Sequence, residues 1–126
     1  MADAQNTNRI FVVDDEIELT EFYKNILSDQ YRISVFNSPV EFLKALDMSL
    51  PDLVISDLKM PEMTGVEMLR KAQSDGHKFP FIIVTGYLDR NVRAEAAGLG
   101  ACLLLEKPVD YDLLITSIQN LLKHGN

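Results

Sequence analysis

Leu53-Val54-Ile55-Ser56-Asp57-Leu58-Lys59-Met60-Pro61 runs from an unbroken apolar stretch into a carboxylate and then into a proline-closed turn. A short continuous apolar run bounded by turn signals reads as a strand buried on both faces. The same grammar recurs three times. Ile10-Phe11-Val12-Val13 ends at Asp14 and Asp15, Phe81-Ile82-Ile83-Val84 ends at Thr85, and Ala101 to Leu105 leads to Lys107 and Pro108. Helical patterns lie between the runs, so the chain reads as successive βα units. Open parallel sheets gather their chemistry at the carboxyl ends of the strands. Three carboxylates, a hydroxyl and an ammonium are therefore expected to meet at one edge.

The first helix is expected over about Glu16 to Ser28, with Leu19, Phe22, Tyr23, Ile26 and Leu27 on one face of a 3.6-residue period. The second opens at Ser38-Pro39-Val40-Glu41, a cap, a proline at the first helical position and a capping-box Glu. Thr64-Gly65-Val66-Glu67 starts the third in a similar way. The fourth, about Leu88 to Ala97, is weakly patterned on Leu88, Val92 and Ala96, and Gly98 closes it. The fifth runs from an Asp110 cap to about Lys123, with Leu114, Ile118, Leu121 and Leu122 inward.

Tyr31-Arg32-Ile33-Ser34-Val35-Phe36 alternates where the other runs do not. Alternation marks a strand with one accessible face and hence an edge position. The fold class expected is α/β, a doubly wound, flavodoxin-like five-stranded parallel sheet, and an edge position for the second strand matches the order 2-1-3-4-5 known for such sheets. Its first and third strands are adjacent at the switch point, with helices on both faces.

A chain of 126 residues holds one domain with a substantial core. The division expected is a flexible N-terminal segment at 1–8, a domain at 9–123 and a C-terminal tail at 124–126. The net charge of -7 repels phosphate backbones, so direct nucleic-acid binding is not expected. No apolar run approaches the roughly 20 residues of a membrane helix. Met1 to Asn8 lacks the apolar core of a secretory signal, and the single Cys102 fits a reducing, cytoplasmic setting as a small core residue. His77 and His124 read as solvated.

Three close carboxylates repel one another, and unaided at least one takes up a proton. A divalent cation and Lys107 balance the three negative charges. Few, all-oxygen ligands favour Mg²⁺, with Mn²⁺ able to substitute, and Mg²⁺ so held completes its shell with phosphate oxygens. Asp57, alone at the end of a central strand, is suited to act as a nucleophile and form an acyl phosphate. The metal and Lys107 would hold two phosphoryl oxygens and the Thr85 hydroxyl would donate to the third. Each residue alone has a plain reading as a solvated turn, cap or loop residue; their joint occurrence at four strand ends does not.

With these residues in place, the chain resembles the receiver domains of two-component response regulators, the CheY-like family. The resemblance rests on residues 10–16, on Asp57-Leu58-Lys59-Met60-Pro61-Glu62-Met63-Thr64-Gly65, on Val84-Thr85-Gly86, and on Gly98-Leu99-Gly100-Ala101 leading to Lys107-Pro108. It spans about residues 9 to 123. It implies that Asp57 accepts a phosphoryl group from a histidine kinase or phosphotransfer protein. It implies Mg²⁺ ligation by Asp15, Asp57 and the Lys59 backbone carbonyl, with Asp14 acting through water. Lys107 binds the phosphoryl group, Thr85 senses it, and the Lys107-Pro108 bond is often cis. Such a protein is a signalling switch that catalyses only its own phosphorylation and dephosphorylation.

Two departures from the family pattern matter, one at Leu104 and one at the pair Lys59 and Tyr87. Leu104 occupies the site of the usual Tyr or Phe, so a muted or differently propagated switch is expected, although a leucine there also reads as plain core. Lys59 and Tyr87 flank the phosphoryl site and are candidates for tuning the acyl-phosphate lifetime, or are simply solvated loop residues. The fifth strand would be an apolar edge, and edges are normally blunted by charge. That points to cover by an effector, an output domain or a homodimer mate across the face of the fourth helix, fifth strand and fifth helix.

Competing readings are weaker. A haloacid dehalogenase-type phosphatase wants a second acid two residues after the nucleophile, where Lys59 stands. A flavodoxin-like cofactor binder needs a glycine- and hydroxyl-rich loop after the first strand, where Asp14-Asp15-Glu16 stands. A pseudo-receiver acting only as an interaction module would not need the full ionic set.

Overall fold

The computed structural model describes residues 8–100 and 102–124. The N-terminal segment up to residue 7, Ala101 and the last two residues of the expected tail lie outside the described residues. Five strands and five helices alternate: β1 (Arg9–Val13), α1 (Ile17–Leu27), β2 (Arg32–Phe36), α2 (Pro39–Ala45), β3 (Leu53–Asp57), α3 (Gly65–Ser74), β4 (Phe81–Thr85), α4 (Arg90–Ala97), β5 (Cys102–Glu106) and α5 (Tyr111–His124). All strand pairs are parallel and the order is β2-β1-β3-β4-β5. The alternating strand is at an edge, as its pattern requires.

Because side chains alternate across a strand, the continuous apolar runs feed two cores. Phe11, Val13, Val54, Phe81 and Ile83 pack with Phe42 of α2 and Val66, Met68 and Leu69 of α3. Ile10, Val12, Leu53, Ile55, Ile82 and Val84 pack with Tyr23 and Leu27 of α1 and Leu114 and Ile118 of α5. Register then aligns the strand ends: Val13 pairs with Ser56, Asp57 with Val84, and Thr85 with Glu106.

Helix starts follow local chemistry. At α3 the capping box is complete: the Thr64 hydroxyl accepts the Glu67 N–H at 3.1 Å and the Glu67 carboxylate accepts the Thr64 N–H at 2.8 Å. Ser38 caps α2 by accepting the Val40 and Glu41 N–H groups, and Asp110 accepts the Leu113 N–H at 3.1 Å at α5.

Two helical expectations need correction. Phe22 is not on the inner face of α1; it is 52% exposed, and Thr20 is buried instead. The register of α1 turns Thr20 inward because its hydroxyl has two partners there, the Ile17 carbonyl and the Asn37 side chain. The start of α4 is Arg90 rather than Leu88, because the Asp89 carboxylate accepts the Val92 N–H at 2.9 Å and sets the cap.

Candidate functional site

Asp14 leaves the end of β1, and its backbone N–H donates to the Phe36 carbonyl at 3.0 Å. Its Oδ1 accepts the Glu16 N–H at 2.9 Å, turning the chain into α1. The Asn37 side-chain amide donates to the Asp14 carbonyl at 3.0 Å and to the Thr20 hydroxyl at 3.1 Å. This linkage fixes the β1–α1 and β2–α2 corners against one another. Asp14 itself is only 2% exposed, while Asp15 is exposed.

Asp57 ends β3. Its Oδ1 accepts the Leu58 N–H at 2.9 Å and lies 3.3 Å from Lys107 Nζ. The turn behind it is very close: the Gly65 N–H donates to the Leu58 carbonyl at 2.7 Å, and a Cβ at Gly65 would stand 2.6 Å from the Asp57 carbonyl oxygen. Glycine is required there by space alone. Across the sheet, the Lys107 N–H donates to the Thr85 carbonyl at 2.8 Å, tying the β5–α5 loop to the end of β4. The Lys107-Pro108 peptide bond is cis.

Asp14, Asp15 and Asp57 each present a carboxylate oxygen, and the three oxygens lie within 4.8 Å of one another. The electrostatic consequence is visible at Asp14. Burial pushes its carboxyl up to about 6, the Glu16 N–H opposes that, and Asp57 and Asp15 add to it while Lys107 subtracts. Tyr23, behind the cluster, is pushed up to about 12 by burial and then by the charges of Asp14 and Asp57. A concentrated negative charge on oxygen donors, facing a single ammonium, fits a hard divalent cation. The donors present are those that such an ion takes.

Thr85 is buried at the end of β4; its hydroxyl accepts the Tyr87 N–H at 3.1 Å and donates to the Tyr87 carbonyl at 3.4 Å. Lys59 Nζ sits 5.8 Å from the centroid of the Tyr87 ring. Leu104, opposite Ile83, is half-buried against the core on the α3 face. Sequence reasoning missed Asn37 and Thr20, and it read Gly65 only as part of a helix start. Thr20, a polar residue beside the apolar stripe of α1, was the available signal. Asn37 bonds the Asp14 carbonyl and the Thr20 hydroxyl, and Gly65 lies against the Asp57 backbone, contacts between elements that no local pattern announces.

Comparison with known proteins agrees with this geometry. The family model described as the response regulator receiver domain matches residues 10–119. The transcriptional regulatory protein FixJ of Bradyrhizobium diazoefficiens is 32% identical over 117 residues, which cover 92% of this chain and 57% of FixJ. The transcriptional regulatory protein ZraR of Klebsiella oxytoca is 32% identical over 91% of this chain and 26% of its own length. The chain thus spans about half or less of these relatives. Among solved structures, a CheY-like receiver domain protein from Methanospirillum hungatei superposes with a TM-score of 0.89 at 28% identity, covering 95% of this chain and 97% of that one. The receiver domain of a LuxO repressor protein from Vibrio parahaemolyticus gives 0.88 at 29% identity, covering 94% and 92%. The 2-1-3-4-5 sheet and the match across 10–119 lead to one conclusion: this chain belongs to the receiver-domain family of response regulators.

Proposed function

We propose that Asp57 is the phosphoacceptor of this receiver, taking a phosphoryl group from the phosphohistidine of a histidine kinase or phosphotransfer protein. The observation that carries this reading is the ion pair of Asp57 with Lys107 at 3.3 Å, within a cluster whose other two members are carboxylates. A carboxylate oxygen of Asp57 attacks phosphorus, the P–O bond forms as the donor's P–N bond breaks, and the electron pair of that bond returns to the imidazole nitrogen. Lys107 neutralises charge on one phosphoryl oxygen and the Thr85 hydroxyl donates to another.

Mg²⁺, for which Mn²⁺ could substitute, would be held by Asp15, Asp57 and the Lys59 carbonyl, with Asp14 acting through water, and when bound supplies charge neutralisation to the phosphoryl oxygens. The burial of Asp14 supports its role as the member that sets the field rather than the one most open to solvent. Lys59 and Tyr87 stand as lifetime-tuning residues beside the site. The domain is assigned to residues 9–123, in a cytoplasmic setting. Among the described residues no helix is long and apolar enough to cross a membrane. The half-buried β5 edge supports an effector, output domain or second copy as the downstream contact across α4, β5 and α5.

The test is intact mass after incubation with acetyl phosphate. One added phosphoryl group with Mg²⁺, lost with chelator and absent in Asp57→Asn, is expected. A wild-type protein that gains nothing from acetyl phosphate or from a partner kinase would favour the interaction-module reading.

A further inference from the structure

β2 is an edge strand and sends no carboxylate to the cluster, yet the loop that leaves it touches both loops that do. Asp14 has one backbone donor and one backbone acceptor, and the end of β2 engages both. The Asp14 N–H donates to the Phe36 carbonyl at 3.0 Å, and the Asn37 side-chain amide donates to the Asp14 carbonyl at 3.0 Å. A carbonyl can only accept, so the nitrogen of the Asn37 amide is the atom turned to it. The same nitrogen donates to the Thr20 hydroxyl at 3.1 Å, and that hydroxyl gives its one hydrogen to the Ile17 carbonyl at 2.8 Å. Thr20 is fully buried, and a chain of buried hydrogen bonds holds its members in one arrangement. On the other side, the Ser38 hydroxyl donates to the Glu62 carboxylate at 3.2 Å, on the loop that carries the chain from Asp57 to α3.

We propose that Asn37 and Ser38 are positioning residues for the cation site. They brace the loop of Asp14 and Asp15 and the loop after Asp57 from the outside, so that three mutually repelling carboxylates are already gathered when Mg²⁺ arrives. This rests on the reading of the three carboxylates as the Mg²⁺ site and goes beyond it. Their oxygens lie within 4.8 Å of one another. Like charges that close push their loops apart unless the backbone is held. The Asn37 bond fixes the peptide plane between Asp14 and Asp15. Asp15 is exposed, so its carboxylate takes its direction from that plane rather than from packing around its side chain. The Ser38–Glu62 contact does the corresponding work on the loop that follows Asp57 and contains Lys59. A site gathered in advance costs the arriving ion less reorganisation. Asp57 and Lys107, which carry the transfer, are left in place when the brace is cut. Its loss therefore acts on cation binding and spares the transfer rate once the ion is bound.

The experiment measures Mg²⁺ affinity by calorimetry, and phosphoryl uptake from acetyl phosphate by intact mass as Mg²⁺ is varied, at a temperature where denaturation curves show each variant folded. Asn37→Leu removes both amide bonds. Thr20→Val removes the hydroxyl at nearly constant shape, and Thr20→Ser restores it. Glu62→Ala, an exposed change, releases Ser38 while leaving its cap on α2, and Glu62→Gln keeps an acceptor with the same loss of charge. Gln73→Leu is the control, since it removes a bond between elements, to the Leu99 carbonyl at 2.7 Å, at the far end of α3. Asn37→Leu and Thr20→Val are expected to weaken Mg²⁺ binding about tenfold, as removal of a partner one shell out from a metal does. The half-saturating Mg²⁺ for uptake should rise with it while the plateau rate is kept. Glu62→Ala should bind Mg²⁺ more weakly than Glu62→Gln, and Thr20→Ser and Gln73→Leu should match wild type. Wild-type affinity in Asn37→Leu, equal affinities in Thr20→Val and Thr20→Ser or in Glu62→Ala and Glu62→Gln, an equal weakening in Gln73→Leu, or a fallen plateau rate overturns the proposal while leaving the Mg²⁺ site in place. A wild type that binds no Mg²⁺ overturns both.

Discussion

Replacing Asp14 with Asn is expected to stabilise the metal-free protein while weakening its hold on Mg²⁺. Asp14 is 2% exposed, and burial, followed by the charges of Asp57 and Asp15, outweighs the Glu16 N–H and Lys107 to raise its carboxyl from 3.8 to about 6. A raised carboxylate pKa means that the folded state binds the proton more tightly than the unfolded chain. Stability from this group is therefore full below about 4 and is lost as pH rises through about 6. About two pKa units at roughly 1.4 kcal/mol each amount to about 3 kcal/mol lost at pH 7.5. Asn keeps an oxygen to accept the Glu16 N–H and carries no charge, so the variant avoids most of that loss. In chelator at pH 7.5, Asp14→Asn should unfold about 2–3 kcal/mol harder in urea, or about 10 °C higher on heating. The advantage should vanish as pH falls from 6 to 4. Added Mg²⁺ should close the gap from the wild-type side, because only a well-held ligand stabilises by mass action. A variant no more stable than wild type in chelator at pH 7.5 would refute the picture of a strained acid cluster.

Three other outcomes follow from the geometry. Gly65→Ala places a Cβ 2.6 Å from the Asp57 carbonyl oxygen and 3.2 Å from Ser56 Oγ, so it should cost about 1–3 kcal/mol in urea denaturation and slow phosphoryl uptake measured by mass, since the strain falls on the Asp57 backbone. Thr64→Ala removes the hydroxyl arm of the α3 capping box and should cost about 1 kcal/mol by the same denaturation assay, with phosphoryl uptake retained. Lys107→Met removes the cation 3.3 Å from Asp57. It should raise Mg²⁺ affinity severalfold in calorimetry, because a positive neighbour of the site is gone, yet depress phosphoryl uptake.

Much of this architecture can be read from single residues in the chain. The unbroken apolar runs of β1, β3 and β4 announce burial on both faces, and the alternation from Tyr31 to Phe36 announces an edge; together they order the sheet in part, since the equally apolar β5 is also an edge. Because those runs end in Asp14, Asp57 and Thr85, sheet order alone assembles the cluster. What was not legible depends on contacts between elements. The apolar period of α1 includes Phe22, yet the helix turns Thr20 inward, because the Asn37 amide and the Ile17 carbonyl satisfy its hydroxyl. Gly65 reads as a helix start, whereas its necessity comes from the Asp57 backbone passing beside it. Asp89 was hidden because a weak apolar pattern from Leu88 masks a cap one residue on. Lys59 and Tyr87 could be singled out by their spacing from Asp57 and Thr85, but their mutual contact belongs to the folding of two separate loops.

The central claim is that one carboxylate, Asp57, becomes an acyl phosphate. Borohydride reduces an acyl phosphate to an alcohol, converting a phosphorylated aspartate into homoserine, and peptide mapping locates the conversion. After acetyl phosphate and Mg²⁺, the account predicts homoserine at position 57, with Asp14 and Asp15 unchanged. Homoserine at position 14 or 15, or at neither of these nor 57 in protein whose mass shows a phosphoryl group, would contradict it.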